Sequence, residues 1–530
     1  AGRATDVNLS NHTSAIELHD VKLSVATSQK DSIPRDRRGT ADLVVDLLEG
    51  RVAVLEIPLE VRVGAEHLLV LGQAFLQFGV RQGDGVLLDG LLEQVLLDEP
   101  LEAAEPGCCV CPVDHAVIRG ESQGHRPLLV GRMHSVGPDQ LHGYAERLVG
   151  DHGPNQPGGR SVDHGMLEGT AGPARISLEL SGHGQSAYQV HDEDVTAATV
   201  HYLDRLGVQK RAGQPTEPFS LSVGFMLPHQ PFVARREDYE RYFGKVPPPQ
   251  NPEPFGDHLH PHIKRWRSAC NIEEVSATEI ERARAAYWAL VYRMDVLIGQ
   301  ILNALRENDL EENTLVVYMS DHGEQVGEHG LWWKQTFYED SAKVPAILAW
   351  PGHLPEGRRC DKVTSSLDLN ATMIEALGCP ALPHSHGRSL LPLLTDPDNT
   401  EWDNVAFSEF CQDAAGAGGP FPPEGIFQRM VRRDNFKLNY YHGQPCQLFD
   451  LDADPRELND LAADPAHAET VATLEAEVLA GWDPDAIAAR MEQLRSDTRI
   501  LAGWGRNVQP PDSIRWNLQP EMDYLDDEQM

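Results

Sequence analysis

The stretch that decides the fold is residues 314–343, TLVVYMSDHGEQVGEHGLWWKQTFYEDSAK. It opens with the apolar and β-branched run 315–319, which predicts a buried strand. The run leads into Asp321 and His322, at the place where parallel α/β sheets hold their ligands. A carboxylate beside a neutral imidazole suits a divalent cation, so the pair predicts a metal site. Taken alone, the dipeptide is equally typical of a plain turn with an N-cap.

The composition disfavours several classes of partner. The 530 residues include 81 acidic and 45 basic side chains, for a formal charge of -36. This balance disfavours nucleic acids and anionic membranes, which require clustered Lys and Arg. Eight cysteines do not form a disulfide framework and fit a reducing compartment. No run approaches the ~20 apolar residues of a membrane span, and no signal peptide is visible, so we expect a cytoplasmic protein.

The chain divides into three regions. Residues 1–122 show neither clean alternation nor a sustained helical period, and they stay unassigned. Residues 123–395 alternate strands with helices and form the predicted catalytic core. Its clearest helix begins at the capping box Ser276–Glu279 and ends near Asn308. Residues 396–530 form a smaller subdomain, with strands over 429–441 and 447–451, and a tail.

Two further strands of the core end in candidate functional residues. The apolar run 128–130 leads into residues 131–140, GRMHSVGPDQ. The run 218–225 alternates like a core strand and leads into residues 227–232, LPHQPF. Prolines on both sides of His229 stiffen that loop and would aim the imidazole into a site. In contrast, residues 150–190 are rich in Gly, His, Ser and Pro, which predicts a long surface loop.

These motifs, in this order, closely resemble those of sulfatases in the alkaline phosphatase superfamily, choline sulfatase-like members especially. The family carries S-D-H-G, G-E-x-G-L-W and a Lys in one segment, and G-K-M-H-x-x-G-P-D-Q and P-H-x-P-[FWY] in two others. The resemblance covers about residues 127–480. It implies a three-layer α/β/α sandwich with a mostly parallel central sheet, and a smaller C-terminal α+β subdomain.

The resemblance also implies the site residues. Asp321 and His322 would bind a divalent metal, with Ca²⁺ expected and Mn²⁺ the alternative. The implied cationic cradle and acid consist of Arg132, His134, His229 and Lys334. Arg132 stands where the family has Lys, which keeps the charge but loses a compact, titratable ammonium. Trp333 and Glu339 would line a pocket for the alcohol, since an aromatic ring with a carboxylate suits a quaternary ammonium; Trp333 is equally consistent with a core residue.

One family element is missing from the sequence. The family pattern C-x-P-S-R or S-x-P-S-R supplies the residue that becomes formylglycine, the nucleophile. Residues 107–115, GCCVCPVDH, contain three cysteines, but none is followed by Pro-Ser-Arg at that spacing. The metal-binding Asp pair or Asp-Gln of the family's first strand is not recognisable either. We therefore expect residues 1 to about 122 to be poorly ordered or loosely packed, and ester hydrolysis to be weak or absent.

Three functions are consistent with these observations. The first is hydrolysis of a small anionic sulfate ester, and the second is hydrolysis of a phosphonate monoester or phosphodiester on the same scaffold. The third is a catalytically impaired sulfatase homologue that lacks the nucleophile. Trp504, Trp516 and the acidic end of the chain suggest an arm that docks on a neighbouring copy, as in a homo-oligomer.

Overall fold

The structure is a computed structural model. It describes residues 54–55, 67–73, 124–133, 140–141, 143–154, 156–383, 385–396, 398, 401–412, 425–512 and 514–526. All of them belong to the second of two compact units, Val44–Met530. His134 and the cysteine-rich residues 107–115 lie outside the described residues, so the predictions on them stay predictions.

The described residues contain fifteen strands and ten α-helices. The strands are β1 (Val54–Leu55), β2 (His67–Gln73), β3 (Arg126–Gly131), β4 (Glu146–Val149), β5 (Gly182–Gln185), β6 (Phe219–Phe225), β7 (Val233–Ala234), β8 (Thr314–Met319), β9 (Ala346–Ala349), β10 (Glu356–Arg358), β11 (Val405–Gln412), β12 (Ile426–Arg433), β13 (Phe436–Tyr441), β14 (Gln447–Asp450) and β15 (Tyr524–Leu525). The helices are α1 (Ile176–Glu179), α2 (Ala187–Arg211), α3 (Arg236–Tyr242), α4 (Pro261–Ala269), α5 (Ala277–Glu307), α6 (Glu339–Ala342), α7 (Ser366–Ala376), α8 (Leu391–Thr395), α9 (Ala468–Leu479) and α10 (Pro484–Val508).

The central sheet has six strands in the order β4-β3-β6-β2-β8-β9. The first five run parallel, and β9 closes one edge antiparallel to β8. Because the carboxyl ends of parallel strands share one edge of a sheet, the loops after β3, β4, β6 and β8 emerge on the same side. Those loops carry the motifs of the sequence analysis.

Strand β2 corrects the expectation for residues 1–122. It pairs through its whole length with β6 on one side and with most of β8 on the other. Its sequence, HLLVLGQ, does not alternate, and an interior parallel strand with helices on both faces characteristically has a continuous apolar run instead. The prediction of loose packing therefore does not hold for His67–Gln73, which the sequence analysis left unassigned.

The sheet lies between two hydrophobic cores, as the predicted three-layer sandwich requires. Along β3, Leu128 and Val130 belong to one core and Leu129 to the other. Helices α2 and α5 contribute to the first core, and α7 contributes to the second. This separation follows from the strand itself, since successive side chains point to opposite faces. The predicted fold class is confirmed.

Helix α5 confirms the clearest secondary-structure prediction. The Ser276 hydroxyl accepts from the backbone N of Glu279 at 3.3 Å, and the Glu279 carboxylate accepts from the backbone N of Ser276 at 2.9 Å. This capping box satisfies two backbone donors that the first turn would otherwise leave unpaired. The helix ends at Glu307 with Asn308 as its C-cap, so both ends agree with the sequence.

The C-terminal subdomain is a four-stranded antiparallel sheet in the order β11-β12-β13-β14, with α9 packed against it. The predicted strand region 429–441 is a hairpin, β12 followed by β13, which turns at Asp434 with a φ of 51°. Aspartate tolerates this left-handed conformation better than most residues, which suits it to the turn. None of the described helices has the length and apolar content that crossing a membrane demands.

Candidate active site

The loop after β8 holds the Asp321–His322 pair rigidly. The Asp321 carboxylate accepts from the backbone N of His322 at 3.0 Å, and its other oxygen lies 3.2 Å from His322 Nε2. His322 Nδ1 lies 2.8 Å from the carbonyl oxygen of Gly323. Since a carbonyl only accepts, Nδ1 carries the proton and Nε2 presents its lone pair. Burial is the main cause that lowers the pKa of His322 to about 4, so the imidazole is neutral at pH 7, the form that binds metals.

Gly323 allows the loop to fold back closely. Its backbone N donates to the carbonyl of Ser341 at 2.7 Å. A Cβ at this position would lie 2.0 Å from the carbonyl oxygen of Asp340, which no larger residue can tolerate. The glycine therefore closes the loop that carries Lys334 back beside Asp321.

Lys334 completes this side of the site. Its Nζ donates to His322 Nε2 at 2.8 Å, and its pKa is lowered to about 8, chiefly because the side chain is buried. The preceding Trp333 has a φ of 65°, and its backbone N donates to the Glu324 carboxylate at 2.6 Å. Burial raises the pKa of Glu324 to about 7. The buried carboxylate thus fixes the backbone that positions the ammonium.

His229 reaches the same region from the loop after β6. Its Nδ1 lies 2.7 Å from the carbonyl oxygen of Gln230, so Nδ1 donates and Nε2 is the acceptor. Burial, followed by the nearby charges of Lys334 and Arg132, holds the pKa of His229 well below its usual value. The imidazole is therefore neutral across the physiological range.

One cavity, of about 610 Å³, brings three of the predicted residues together: Arg132, His229 and Lys334. Arg132 follows β3 directly, and its side chain is buried with only 5% exposure. Two fixed cations and a neutral imidazole at the carboxyl ends of three strands form a pocket for an anion. Asp321 and His322 adjoin it through the contact with Lys334.

The cavity wall contains residues that the sequence analysis missed: Asp151, His152, His164 and Tyr188. The prediction of a surface loop over 150–190 is wrong for these residues. Asp151 and His152 directly follow β4, so the strand-end rule applied to Asp321 and His322 also identifies them. No comparable signal exists for His164 and Tyr188, because tertiary contacts bring them to the cavity.

Tyr188 is the centre of this wall. Its ring centroid lies 5.0 Å from that of His152 and 6.0 Å from those of His164 and His229. Its hydroxyl is 3.3 Å from His152 Nε2, while His152 Nδ1 is 2.9 Å from the Asp151 carboxylate. Burial raises the pKa of Tyr188 to about 12, so the hydroxyl stays protonated and can donate.

The structure does not place Trp333 and Glu339 in the cavity wall, which corrects their predicted role. Trp333 is 1% exposed and belongs to the hydrophobic core. The Glu339 carboxylate contacts Lys437 Nζ at 2.9 Å and Arg432 Nη1 at 3.3 Å. Since the Lys437 side chain has no exposure, its charge requires a carboxylate partner. Glu339 therefore links the core to the C-terminal sheet.

A metal fits the Asp321–His322 pair by donor type and protonation state. One hard oxygen and one neutral nitrogen are suitable ligands for a divalent ion. Within the described ranges no group of three or more His, Cys, Asp or Glu residues could hold a metal. The pair thus supplies part of a ligand set, and further ligands would come from residues outside those ranges.

Comparison with known proteins follows the same pattern as the site. The sulfatase family model matches residues 140–379, and the model of the N-sulphoglucosamine sulphohydrolase C-terminal region matches residues 327–481. The choline-sulfatase of Rhizobium meliloti (strain 1021) is 32% identical over 392 residues, which cover 70% of this chain and 72% of that protein. The chain belongs to the sulfatase family.

Other similar proteins cover less of their own length. Arylsulfatase K of Gallus gallus is 30% identical over 284 residues, 47% of this chain and 49% of that protein. The multifunctional alkaline phosphatase superfamily protein PehA of Trinickia caryophylli is 28% identical over 338 residues, 60% of this chain and 62% of that protein. Sulfatases generally use a divalent metal, and the family membership makes this chain a hydrolase of the sulfatase type.

Solved structures agree on the fold. The phosphonate monoester hydrolase of Agrobacterium radiobacter superposes with a TM-score of 0.53 at 21% identity, covering 82% of this chain and 96% of that chain. A sulfatase-like structure from Bacteroides thetaiotaomicron superposes with a TM-score of 0.51 at 17% identity, covering 83% and 94%. At these identities the similarity concerns the fold, which is that of the alkaline phosphatase superfamily.

Proposed function

We propose that this chain hydrolyses sulfate monoesters of small alcohols or phenols with the help of a divalent metal, Ca²⁺ first and Mn²⁺ as the alternative. The observation that carries the proposal is the convergence of Arg132, His229 and Lys334 on one cavity beside the Asp321–His322 pair. A sulfate ester is an anion, and its hydrolysis requires cations around the non-bridging oxygens and an acid for the leaving alcohol.

Each residue has a distinct task in this reaction. Arg132 and Lys334 bind the non-bridging oxygens of the sulfate, because both are buried cations whose charge little water screens. With its pKa at about 8, Lys334 keeps most of its proton at pH 7. His229 is neutral and accepts through Nε2, so it orients a donor such as a water molecule. The metal, when bound at Asp321 and His322, neutralises charge on the sulfate oxygens.

The alcohol lies against the wall formed by Asp151, His152 and Tyr188. A carboxylate together with aromatic rings suits an alcohol with a positive charge. The similarity to a choline-sulfatase supports choline sulfate as the first substrate to test. In this proposal the wall takes the role that the sequence analysis gave to Trp333 and Glu339.

Paired substrates test the proposal. Purified chain is assayed with choline sulfate, 4-nitrophenyl sulfate and a phenyl phosphonate monoester, after dialysis against a chelator and re-addition of Ca²⁺ or Mn²⁺. We expect sulfate release that depends on the metal and exceeds phosphonate cleavage. Lys334→Met is expected to lower kcat/KM by about 10²–10³, the usual loss for one preorganised charge.

Lys245→Met is the matched control, because Lys245 is exposed and contacts only backbone carbonyls of α3. Preferential phosphonate cleavage would contradict the proposal in favour of the second function. Equal activity of the unaltered chain and Lys334→Met would contradict the role of the cavity.

The cellular location is a separate proposal. We infer a reducing, cytoplasmic environment, and the five cysteines in the described part of the chain are unpaired, which supports it.

A further inference from the structure

The C-terminal segment 514–526 packs against the cavity wall of its own chain. The backbone N of Trp516 donates to the carbonyl of Asp151 at 2.9 Å, and Arg515 Nε donates to the carbonyl of His152 at 2.7 Å. A Cβ on Gly150 would lie 1.8 Å from the carbonyl oxygen of Ile514, so the two backbones touch. The sequence analysis expected this tail to dock on a neighbouring copy, whereas the contacts described here are intramolecular.

One residue of the segment points a charge at the cavity wall. Asp523 is 1% exposed at its side chain, and its Oδ2 lies 2.8 Å from Nδ1 of His164. Its Oδ1 accepts from the backbone N of Ala187, the first residue of α2, at 2.6 Å. Two contacts on a buried carboxylate fix its orientation, and they leave the acceptor for His164 in place.

This contact determines which nitrogen of His164 is available. A carboxylate accepts, so Nδ1 of His164 carries a proton and donates to Asp523. Nε2 is therefore the nitrogen that can exchange a proton with a molecule in the cavity that His164 lines. The 6.0 Å separation between the ring centroids of His164 and Tyr188 puts it on the same wall as the alcohol contacts proposed above.

The charges nearby distinguish His164 from the other two histidines of the wall. His229 lies beside Lys334 and Arg132, which disfavour an imidazolium there. Burial and the charge of Arg132 likewise disfavour one at His152, although Asp151 opposes them. At His164 the fixed neighbour is a buried carboxylate, which favours the charged ring.

We propose that His164 is a further catalytic residue of this site, which protonates the departing alcohol oxygen, and that Asp523 is its positioning residue. This inference rests on the proposed function. In the step, the bond between sulfur and the ester oxygen breaks and the oxygen keeps the electron pair. The Nε2 proton of the imidazolium moves to that oxygen, and the alcohol leaves. Water supplies the oxygen added to sulfur and the proton that restores the imidazolium.

Leaving groups of different basicity test the inference. The oxygen of 4-nitrophenyl sulfate needs little protonation, whereas that of an alkyl ester such as choline sulfate needs a full proton. We expect His164→Gln and Asp523→Asn to lower kcat/KM for the alkyl ester by about 10²-fold or more, within the range for acid–base catalysis. For 4-nitrophenyl sulfate we expect a loss below about tenfold, because the binding residues are unchanged.

Asp526→Asn is the matched control. Asp526 lies three residues further on in the same segment, and its Oδ2 is 2.6 Å from Nδ1 of His183, which does not line the cavity. We expect this variant to keep the kcat/KM of the unaltered chain for both esters within about twofold. Melting temperatures of Asp523→Asn and Asp526→Asn show whether the two exchanges perturb folding equally.

The outcomes separate the two proposals. An equal loss for both esters in His164→Gln and Asp523→Asn would overturn the inference, because a structural role slows both reactions alike. Unchanged activity of Asp523→Asn would also overturn it and would leave the proposed function intact. If the unaltered chain releases sulfate from neither ester with either metal, the proposed function fails, and the inference fails with it.

Discussion

At the scale of single residues, burial determines which groups of the site carry charge. His229 and His322 are neutral at pH 7 because the interior disfavours their charged forms. Arg132 and Lys334 keep their charges, although burial lowers the pKa of Lys334 to about 8. The site therefore combines two cationic groups with two lone pairs, and only the latter can bind a metal or orient water.

The Asp321 carboxylate is the hardest ligand in the described part of the site, so its loss should weaken metal binding most. For Asp321→Ala we predict a fall in affinity for Ca²⁺ and Mn²⁺ above the roughly 10–100-fold that is typical of losing an outer-shell partner. Titration calorimetry on chelator-treated protein measures it, with Asp361→Asn as the control at an exposed carboxylate. Unchanged stoichiometry and affinity in Asp321→Ala would place the metal elsewhere.

Asp295 on α5 should make the stability depend on pH. Burial alone raises its pKa from 3.8 to about 6. The folded state therefore holds its proton more tightly than the unfolded chain, and the associated stability is full below pH 3.8 and is lost as pH rises through about 6. For Asp295→Asn we predict a gain of roughly 1–3 kcal/mol at pH 7 that vanishes near pH 4.

Urea unfolding at the two pH values measures this difference. Glu307→Gln, at an exposed carboxylate of the same helix, is the control. A gain of the same size at pH 4 and pH 7 would show that the proton on Asp295 is not its cause.

At the scale of elements, the site exists because four parallel strands deliver their loops to one edge of the sheet. The rule of strand ends predicts Arg132, His229 and the Asp321–His322 pair from the sequence, since each follows an apolar run. It also covers Asp151 and His152, but the four-residue strand β4 has too little pattern to be recognised. His164 and Asp523 lie 359 residues apart, and no local pattern links them.

Helix α2 fixes the loop that carries His229. The fully buried Asp192 accepts from the backbone N of Met226 at 2.8 Å and of Leu227 at 2.8 Å. For Asp192→Asn we predict a loss of about 1–3 kcal/mol in unfolding free energy, because the amide cannot accept both bonds equally well. We also predict a lower kcat, because His229 shifts.

Asp194→Asn is the control for this helix. Asp194 is exposed on α2 and accepts from Trp516 Nε1 at 2.9 Å, a bond that an asparagine oxygen can keep. Wild-type kcat in Asp192→Asn would contradict the positioning role of Asp192.

Helix α6 connects the core to the C-terminal sheet through the ion pair of Glu339 with Lys437. For Glu339→Gln we predict a loss of roughly 2–4 kcal/mol in unfolding free energy, because the buried Lys437 charge loses one of its two carboxylates. We predict an unchanged KM, since Glu339 does not line the cavity. Chemical unfolding and steady-state kinetics check both values. A raised KM with unchanged stability would restore the substrate-binding role that the sequence analysis gave to Glu339.

At the scale of the whole molecule, the sequence predicts the sandwich and its C-terminal subdomain well, because apolar periodicity and strand-end motifs are local. It does not predict that β2, from a region without motifs, lies between β6 and β8. Interior strands have no alternation to mark them, and short apolar runs are equally typical of helices. The packing of the tail on the cavity wall is missed for a related reason, since it depends on contacts between distant segments.

The central claim is that the cavity lined by Arg132, His229 and Lys334 cleaves a sulfate ester. The most direct measurement is sulfate released from choline sulfate by the purified chain with Ca²⁺ or Mn²⁺, quantified by ion chromatography. Without the family's nucleophile motif in the sequence, we expect slow turnover that falls to the uncatalysed rate when Lys334 and His229 are both replaced by alanine. Release at the same rate from the unaltered chain and the double variant would contradict the account.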